Sequence, residues 1–562
     1  MPAPKSVAEL DLSPPPGKVY FNTEREWQEE FIYFLMVDRF HDDTARTPIS
    51  GTGRSQGIPT PNAFYGGKIK GITQNLAYIA GLGCSAIWLS PIFENNGDAY
   101  HGYNISNYLD VDPRFGTKQD LIDLVQAAHA MDPPIRIILD VVINHSGDNW
   151  AYPDGFDYFY SNDQQFPFGS WRRTDRPVPT ELRKESLYHR RGQMRDYDHY
   201  PENQHGDLLS LKDFANDDDA DGSELINILI QAHCYWIREA DVDGFRVDAV
   251  KHMGELACSR FSSMIREYAH SLGKRRFFLF GELANSDDGI YDRYIGQNTS
   301  RQDGNNTVFF GINSLLDFRL AAGVFAQVPQ FREIIRGDTG PRPLFDRLEA
   351  QRNRALNRGE IGRYLVTFLD NHDGFWQDGR FGFKANDDQI IGAIGYLVCS
   401  LGTACIYYGT EQGFSGHGGD NELRAAMFEK GSPGKNLLNT QCRIYQEIAK
   451  IAAVARREEP LRFGRMYFRQ ISGDGVHFGY PFGTTYTLAF SRLLYPREVL
   501  AAYNVSASAR SDCVVVDASF HKPGDTMTFL YGASGTVAVE QAPDGTRFVR
   551  LNLPGRQFAI LA

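Results

Sequence analysis

The sequence lacks any run of about 18 consecutive apolar residues, the length that a membrane-spanning helix requires. It also lacks a long cluster of Lys and Arg, and its formal net charge is -12. Because nucleic-acid phosphates bind to basic surfaces, we expect no nucleic-acid partner, and we expect no membrane span. The first 21 residues contain no apolar core of the kind found in secretory signals. The sequence therefore predicts a cytoplasmic protein, with a secreted mature form as the alternative.

The 7 cysteines are spread along the chain, and none forms a CxxC pair. Cysteine-based zinc sites and disulfide frameworks both depend on closer and more regular spacing. We therefore expect buried, reduced thiols. No glycine-rich segment leads from a strand into a helix in the pattern that binds nucleotides, so the sequence indicates no organic cofactor.

From residue 25 onward, short apolar runs alternate with helical stretches. Eight of the runs have the composition of buried parallel strands, which predicts an α/β fold with a closed (β/α)8 TIM barrel. We assign the barrel to residues 25–145 and 216–458. The Pro-rich residues 1–24 form an N-terminal arm, and residues 146–215, which lack a regular pattern, form an inserted subdomain after strand three. Short strands separated by turns predict an all-β sandwich over residues 459–562.

Polar and charged residues lie at the carboxyl ends of the predicted strands, where a parallel barrel places its chemistry. A single residue of this kind is explained by a capped turn or a satisfied core group. Acidic groups at several strand ends indicate a shared site instead. The residues concerned are Asp140, Asn144 and His145 after strand three, Arg246 and Asp248 after strand four, Glu282 after strand five, and Asp370, Asn371, His372 and Asp373 after strand seven.

Converging carboxylates favour glycoside hydrolysis, in which one carboxylate attacks the anomeric carbon and another protonates the leaving oxygen. Asp248 and Arg246 lie two residues apart and therefore on one face of a strand. We expect Asp248 to be the nucleophile, with Arg246 holding its pKa low. Glu282 lies beside Phe280 and Leu283 in the sequence, and a site that is apolar or crowded by other negative charge would raise its pKa and suit a general acid.

Four segments resemble the sequence motifs of the α-amylase family, glycoside hydrolase family 13. They are DVVINH (140–145), GFRVDAVKH (244–252), FGEL (280–283) and FLDNHD (368–373), in this order. Each is a weak pattern alone, whereas the ordered set is specific. The resemblance extends over about residues 30–562. It implies a (β/α)8 barrel, a B subdomain after strand three and a C-terminal β-sandwich.

The resemblance implies a role for each matching residue. Asp248 matches the nucleophile that forms a covalent glycosyl-enzyme, Glu282 the general acid/base, and Asp373 the carboxylate that stabilises the transition state. The segment AYHGYN (99–104) resembles a substrate-binding loop, but Asn104 stands where the family usually carries an aromatic residue. The implied substrate-binding residues are His101, Tyr103, His145, Arg246, Lys251, His252 and His372.

A calcium ion is a further implication of the resemblance. Asn144 and Asp213 match side-chain ligands of that ion, and the backbone carbonyl of His252 matches a third. Oxygen donors of this kind suit calcium. The segment LKDF (211–214) departs from the family's usual LPDL, and the alternative is that Asn144 and Asp213 only hydrogen-bond the inserted subdomain in place.

The implied activity is hydrolysis of α-1,4-glucosidic bonds in malto-oligosaccharides or α-glucans, with retention of the anomeric configuration. A transglycosylase or isomerase of the same family, in which a sugar hydroxyl replaces water, is the first alternative. A catalytically inactive carbohydrate-binding or structural homologue is the second, and the presence of all three carboxylates disfavours it. The expected partner is an oligosaccharide or α-glucan, and the sequence leaves the oligomeric state open.

Overall fold

The computed structural model describes residues 3–48, 64–97, 99–217, 219–285, 288–295, 311–321, 331–353, 361–373, 379–429 and 434–562. Parallel strands close into a barrel, each strand pairing with its predecessor in the chain and the last with the first. They are β1 (Phe31–Leu35), β2 (Ala86–Leu89), β3 (Arg136–Val141), β4 (Gly244–Val247), β5 (Phe278–Gly281), β6 (Ser314–Leu316), β7 (Leu365–Thr367) and β8 (Thr403–Tyr407). The predicted eight-stranded barrel is therefore confirmed.

Helices separate the strands along the chain. They are α1 (Ile69–Gln74), α2 (Leu76–Gly81), α3 (Lys118–His129), α4 (Ala220–Ala240), α5 (Glu255–Ser271), α6 (Asp288–Tyr294), α7 (Phe331–Arg336), α8 (Arg342–Asn353), α9 (Asp387–Cys399), α10 (Arg443–Arg457) and α11 (Glu459–Phe463). The backbone of Asn75 (φ -114°, ψ 18°) interrupts the helical stretch between β1 and β2 and divides it into α1 and α2. Among the described helices, none combines the length and apolar character needed to cross a membrane.

The barrel strands are shorter than the apolar runs that predicted them. The run over 30–40 contains β1 and then a buried helical turn, Val37–Phe40. The run over 244–250 ends as a strand at Val247, because Ala249 has a left-handed backbone (φ 51°) that turns the chain. Apolar composition therefore marks burial in these segments, and only part of each buried run is extended.

The inserted segment, residues 146–215, begins and ends at one place beside the barrel. His145–Ser146 pairs with Lys212–Asp213 as a two-residue antiparallel ladder. A second short ladder joins Trp150–Ala151 to Ser170–Trp171. Trp150 is fully buried and packs against other aromatic rings, including Tyr152 at 4.7 Å between ring centroids. The segment thus has a small aromatic core and is fixed to the end of β3.

The C-terminal part of the chain is all β, as predicted. Nine antiparallel strands join in one sheet in the order β9-β11-β12-β17-β14-β15-β16-β13-β10. They are β9 (Arg465–Phe468), β10 (Ile471–Ser472), β11 (Thr487–Leu494), β12 (Arg497–Asn504), β13 (Arg510–Val515), β14 (Thr526–Tyr531), β15 (Thr536–Gln541), β16 (Arg547–Leu553) and β17 (Phe558–Leu561). The residue limits that the sequence suggested for the arm, barrel, inserted subdomain and C-terminal region stay predictions.

Candidate active site

One arginine lies among three carboxylates at the carboxyl end of β4. Nη1 of Arg246 contacts Asp140 Oδ1 at 2.9 Å and Asp248 Oδ1 at 2.6 Å, and Nη2 contacts Glu282 Oε2 at 2.8 Å. Strand register explains this arrangement, since Arg246 on β4 is level with Asp140 on β3 and with Phe280 on β5. Arg246 is fully buried. The predicted convergence of these strand ends is present in the structure.

The turn after β4 positions both the nucleophile candidate and its neighbour. The N–H of Asp248 donates to the carbonyl of Val141 at 2.9 Å, which continues the β3–β4 pairing. Ala249 then adopts φ 51° and ψ 33°, a conformation that is unfavourable for residues other than glycine. Its N–H donates to Glu282 Oε2 at 3.2 Å. Strain of this kind is retained where it orients a functional group, and here it directs a backbone donor at Glu282.

Glu282 has a polar setting, in contrast to the apolar one expected from its sequence neighbours. Phe278 stacks on Trp27 with 4.4 Å between ring centroids, and Phe280 packs edge-on against Trp88 at 5.4 Å. These rings lie along the barrel strand, while the Glu282 carboxylate contacts Arg246 and the Ala249 amide. Neighbours in the sequence therefore do not determine the surroundings of Glu282.

The pKa of Asp248 is raised well above its ordinary value, in contrast to our expectation. Burial is the largest cause, and the negative charges of Glu282 and Asp140 add to it, together with a hydrogen bond between Asp248 and Glu282. Arg246 lowers the pKa but does not offset these effects. Crowding of carboxyls around one buried guanidinium therefore raises the pKa of Asp248 despite the favourable contact with Arg246.

Three histidines near the carboxylates are kept neutral by burial. Burial lowers the pKa of His101 to about 4, that of His145 to about 3, and that of His372 well below its ordinary value. His145 Nε2 and His372 Nδ1 are buried and have no hydrogen-bond partner within the described part of the chain. These two nitrogens are therefore unsatisfied in the protein without a ligand.

Tyr103 connects the loop after β2 to the end of β3. Its hydroxyl donates to Asp140 Oδ2 at 2.8 Å, and its ring stacks on that of His372 with 5.3 Å between centroids and 11° between planes. The backbone N–H of Tyr103 donates to His101 Nδ1 at 3.1 Å. This contact assigns the proton of neutral His101 to Nε2.

Asp373 has a partner that sequence reasoning missed. Nη2 of Arg424 lies 3.5 Å from Asp373 Oδ1, and Nε of Arg424 donates to the carbonyl of His372 at 2.9 Å. Nη1 of Arg424 also contacts the hydroxyl of Tyr100 at 3.3 Å. Burial raises the pKa of Asp373, and Arg424 opposes that rise. No motif or spacing in the sequence connected Arg424 to this site.

Lys251 and His252 join the barrel to the inserted segment. Lys251 Nζ lies 2.5 Å from Asp198 Oδ1, and His252 Nδ1 lies 2.7 Å from the carbonyl oxygen of Asn203. Tyr197 and Asp198 also line the cleft. Sequence reasoning missed both, because the inserted segment carries no regular pattern.

A cleft of ≈ 960 Å³ opens above these groups. Arg246 is buried beneath it, and Leu208, Leu209 and Leu211 of the inserted segment contribute an apolar lip. The predicted residues that line the cleft are His101, Tyr103, His145, Asp248, Lys251, His252, Glu282, His372 and Asp373. A cavity of this size with a few converging polar groups is typical of a small-molecule site.

The two side chains predicted to bind calcium are buried next to each other. Asn144 Nδ2 lies 3.4 Å from Asp213 Oδ1, and Asn144 Oδ1 is a buried oxygen without a hydrogen-bond partner among the described residues. The other carboxylate oxygen of Asp213 lies 2.5 Å from His189 Nδ1. These oxygens fit a hard cation. The structure places the ring of His252 on Asn203, and the role of the His252 carbonyl stays a prediction.

The chain is similar to known proteins over most of its length. The family model described as "Alpha amylase, catalytic domain" matches residues 34–450. An α-amylase from Streptomyces lividans is 27% identical over 597 residues, covering 91% of this chain and 58% of the relative. A cyclomaltodextrin glucanotransferase from Klebsiella oxytoca is 29% identical over 379 residues, covering 62% of this chain and 50% of the relative. The chain thus spans little more than half the length of these curated relatives.

Solved structures of similar length share the fold. The α-amylase from Geobacillus thermoleovorans, solved with acarbose, superimposes with a TM-score of 0.71 at 25% identity, covering 96% of this chain and 99% of the other. A cyclomaltodextrin glucanotransferase named CldA gives a TM-score of 0.68 at 24% identity, covering 94% and 98% of the two chains, and supports the fold alone. Since the family model matches well over half of the sequence, the chain belongs to the α-amylase family.

Proposed function

We propose that the protein cleaves α-1,4-glucosidic bonds with retention, through a covalent glycosyl intermediate on Asp248. The observation that carries the proposal is the bridge made by Arg246, whose terminal nitrogens contact Asp248 at 2.6 Å and Glu282 at 2.8 Å. Retaining glycosidases hold their carboxyls about 5–5.5 Å apart, whereas inverting enzymes need about 6.5–9.5 Å to admit a water. The closeness of this pair supports retention.

In the first step, an oxygen of Asp248 attacks the anomeric carbon while Glu282 gives its proton to the glycosidic oxygen. The carbon–oxygen bond to the leaving sugar breaks as the bond to Asp248 forms. Arg246 remains against both carboxyls and balances the charge that moves between them.

In the second step, Glu282 is ionised and accepts a proton from water. The water oxygen bonds to the anomeric carbon, and Asp248 leaves as a carboxylate. Two displacements at the same carbon restore the original α configuration. A sugar hydroxyl that takes the place of water in this step gives a longer glucan instead of a hydrolysis product.

The neutral histidines suit the charge that develops during the reaction. The transition state carries positive charge on the sugar ring, and protonated side chains against the ring would oppose it. Burial keeps His145 and His372 neutral, so these cleft-lining rings can contact sugar hydroxyls without this cost. We assign Asp373 to the sugar hydroxyls and to stabilisation of the ring charge, with Arg424 holding its carboxylate in place.

We also propose that Asn144 and Asp213 hold a calcium ion. The unpartnered Asn144 Oδ1 and the adjacent Asp213 Oδ1 support this assignment. The ion would supply positive charge where the inserted segment leaves and rejoins the barrel. It has no part in either displacement, because the reacting carboxyls are held by Arg246.

Transglycosylation is a second candidate, and the lip of the cleft favours it. Leu209 is 63% exposed, has φ 59°, and lines the cleft together with Leu208 and Leu211. An exposed apolar residue can pack against a sugar acceptor and exclude water from the covalent intermediate. Leu209→Ser should lower the ratio of transfer to hydrolysis. Val476→Ser, at another exposed apolar residue (48% exposed) in the C-terminal region, should leave the ratio unchanged.

Product analysis tests the proposed function. Maltotetraose, soluble starch, isomaltose, sucrose and trehalose are each incubated with the protein, and the products are followed by chromatography and anomer-sensitive NMR. Shorter sugars with initial α configuration, formed from the α-1,4 substrates, support hydrolysis with retention. Initial β-anomeric products contradict it. Longer or cyclic products support transfer by the same residues.

A further inference from the structure

Three side chains meet at one point outside the cleft, at the end of the inserted segment. The ring centroids of His189 and His205 are 4.6 Å apart, and Asp217 lies against both. One candidate ligand atom from each of the three residues lies within 4.8 Å of the other two. We propose that His189, His205 and Asp217 form a binding site for a zinc ion, separate from the calcium donors.

Both imidazole rings are oriented as metal ligands are. His189 Nδ1 lies 2.5 Å from Asp213 Oδ2, and His205 Nδ1 lies 2.9 Å from Asp163 Oδ1. The Nε2 atoms of the two rings face the Asp217 carboxylate at 3.0 and 3.6 Å. Histidines that bind zinc through one nitrogen usually donate the other N–H to a carboxylate, which fixes the tautomer and the ring. This site has such a carboxylate for each ring.

The donor set selects the class of metal. Two imidazole nitrogens and one carboxylate oxygen suit zinc, whereas calcium prefers oxygen donors throughout. Zinc–ligand bonds of about 2.0–2.2 Å place tetrahedral ligands about 3.3–3.5 Å from one another. The observed separations of 3.0 and 3.6 Å are close to this range. The Asp217 side chain is 47% exposed, so solvent can reach a fourth position.

The proposed ion has a structural role. His205 lies in a single helical turn, Glu202–His205, of the inserted segment, and Asp217 follows that segment just before α4. Zinc would therefore fasten the turn to the chain that re-enters the barrel. The same turn contains Asn203, whose carbonyl oxygen contacts His252 in the cleft. We expect zinc to stabilise the inserted segment without entering the chemistry of the cleft.

Metal binding by the full chain tests the proposal. Chelator-treated protein is titrated with zinc chloride by calorimetry, its metal content is measured by mass spectrometry, and cobalt is used as a spectroscopic substitute. We expect one zinc per chain, a melting temperature that rises with zinc concentration, and no displacement by excess calcium. His205→Gln and Asp217→Asn should abolish this binding. Asp163→Asn should weaken it about 10- to 100-fold, the usual effect of removing an outer carboxylate.

His199→Gln is the matched control. His199 lies in the same segment and pairs with Asp196 at 2.9 Å, but its side chain is 82% exposed. The His199→Gln variant should bind zinc with the same affinity as the unchanged protein. If the unchanged protein takes up no equivalent of zinc, the three residues form only an ion-paired network and the proposal is wrong. The same holds if Asp217→Asn, at a half-exposed position where folding is retained, binds zinc normally. These results do not depend on glucan cleavage.

Discussion

The Asp248 carboxylate accepts a hydrogen bond of 2.6 Å from Nη1 of Arg246. Arg246 is fully buried and Asp248 is only 7% exposed, so little solvent screens the contact. A buried carboxylate without such a partner would be an uncompensated charge. Because the same guanidinium also contacts Glu282, both reacting carboxyls depend on one side chain for their position and charge.

Arg246→Met is therefore expected to impair both stability and turnover. Removing one partner of a buried ion pair costs about 3–5 kcal/mol, and we expect a decrease of that size in the free energy of unfolding. Turnover should fall about 100- to 1,000-fold or more, as expected for loss of a fixed electrostatic partner. Denaturant unfolding and steady-state kinetics measure the two effects. Arg246→Lys keeps one charge but lacks the planar fork that contacts Asp248 and Glu282 through separate nitrogens, and it should retain more stability than activity. Near-normal turnover of folded Arg246→Met would contradict this account.

Glu282→Gln should affect substrates according to their leaving groups. General acid catalysis contributes about 100- to 10,000-fold, and we expect a loss of that size with maltotetraose. α-Maltosyl fluoride releases fluoride without protonation, so its first step should be nearly unaffected. Burst kinetics separates the two steps for each substrate. An equal loss in the first step with both substrates would contradict the role of Glu282 as the acid.

Arg424→Gln should reduce kcat/KM through Asp373. Without the contact at 3.5 Å, the Asp373 carboxylate and the loop carbonyl of His372 are free to move. A displacement of about 1 Å at a catalytic group costs on the order of 100-fold, and we expect a loss of that size. Asp420→Asn is the control, because Asp420 contacts Arg424 at 3.2 Å but has a half-exposed side chain. Unchanged kcat/KM in folded Arg424→Gln would contradict the role of Arg424 in positioning Asp373.

The stability of the fold should decrease in acid through His101. Its pKa is lowered to about 4, against 6.5 for an ordinary histidine. Below pH 6.5 the unfolded chain binds a proton that the folded chain does not, so stability falls as the pH drops from 6.5 toward 4. The full effect is about 3 kcal/mol. His101→Gln should show a smaller loss of melting temperature between pH 7 and pH 5. An unchanged pH dependence in this variant would contradict the neutral state of His101.

The sequence predicted the parts of the site that depend on the barrel. Parallel strands share one carboxyl end, so Arg246, Asp248, Glu282 and Asp373 could be placed together from strand order alone. The contact between Arg246 and Asp140 follows from the pairing of β3 with β4. For these residues, position in the chain and elementary sheet geometry were sufficient.

The remaining contacts depend on loops whose path the sequence does not determine. Arg424 reaches Asp373 from a turn after β8, and Asp198 reaches Lys251 from the inserted segment. His189 contacts Asp213, which lies 24 residues later in the chain, and the residues between them carry no regular pattern. Phe278 and Phe280 do not surround the Glu282 carboxylate, because they pack along the strand against Trp27 and Trp88, while the carboxylate faces Arg246.

The central claim is that Asp248 forms a covalent glycosyl-enzyme, and trapping that species tests it most directly. Glu282→Gln incubated with α-maltosyl fluoride completes the first displacement but lacks the base for the second. We expect the intact mass to increase by one maltosyl group, and peptide mapping to locate the group on Asp248. Asp248→Asn combined with Glu282→Gln should remain unlabelled. A maltosyl group on another residue, or rapid release of β-maltose without labelling, would contradict the account.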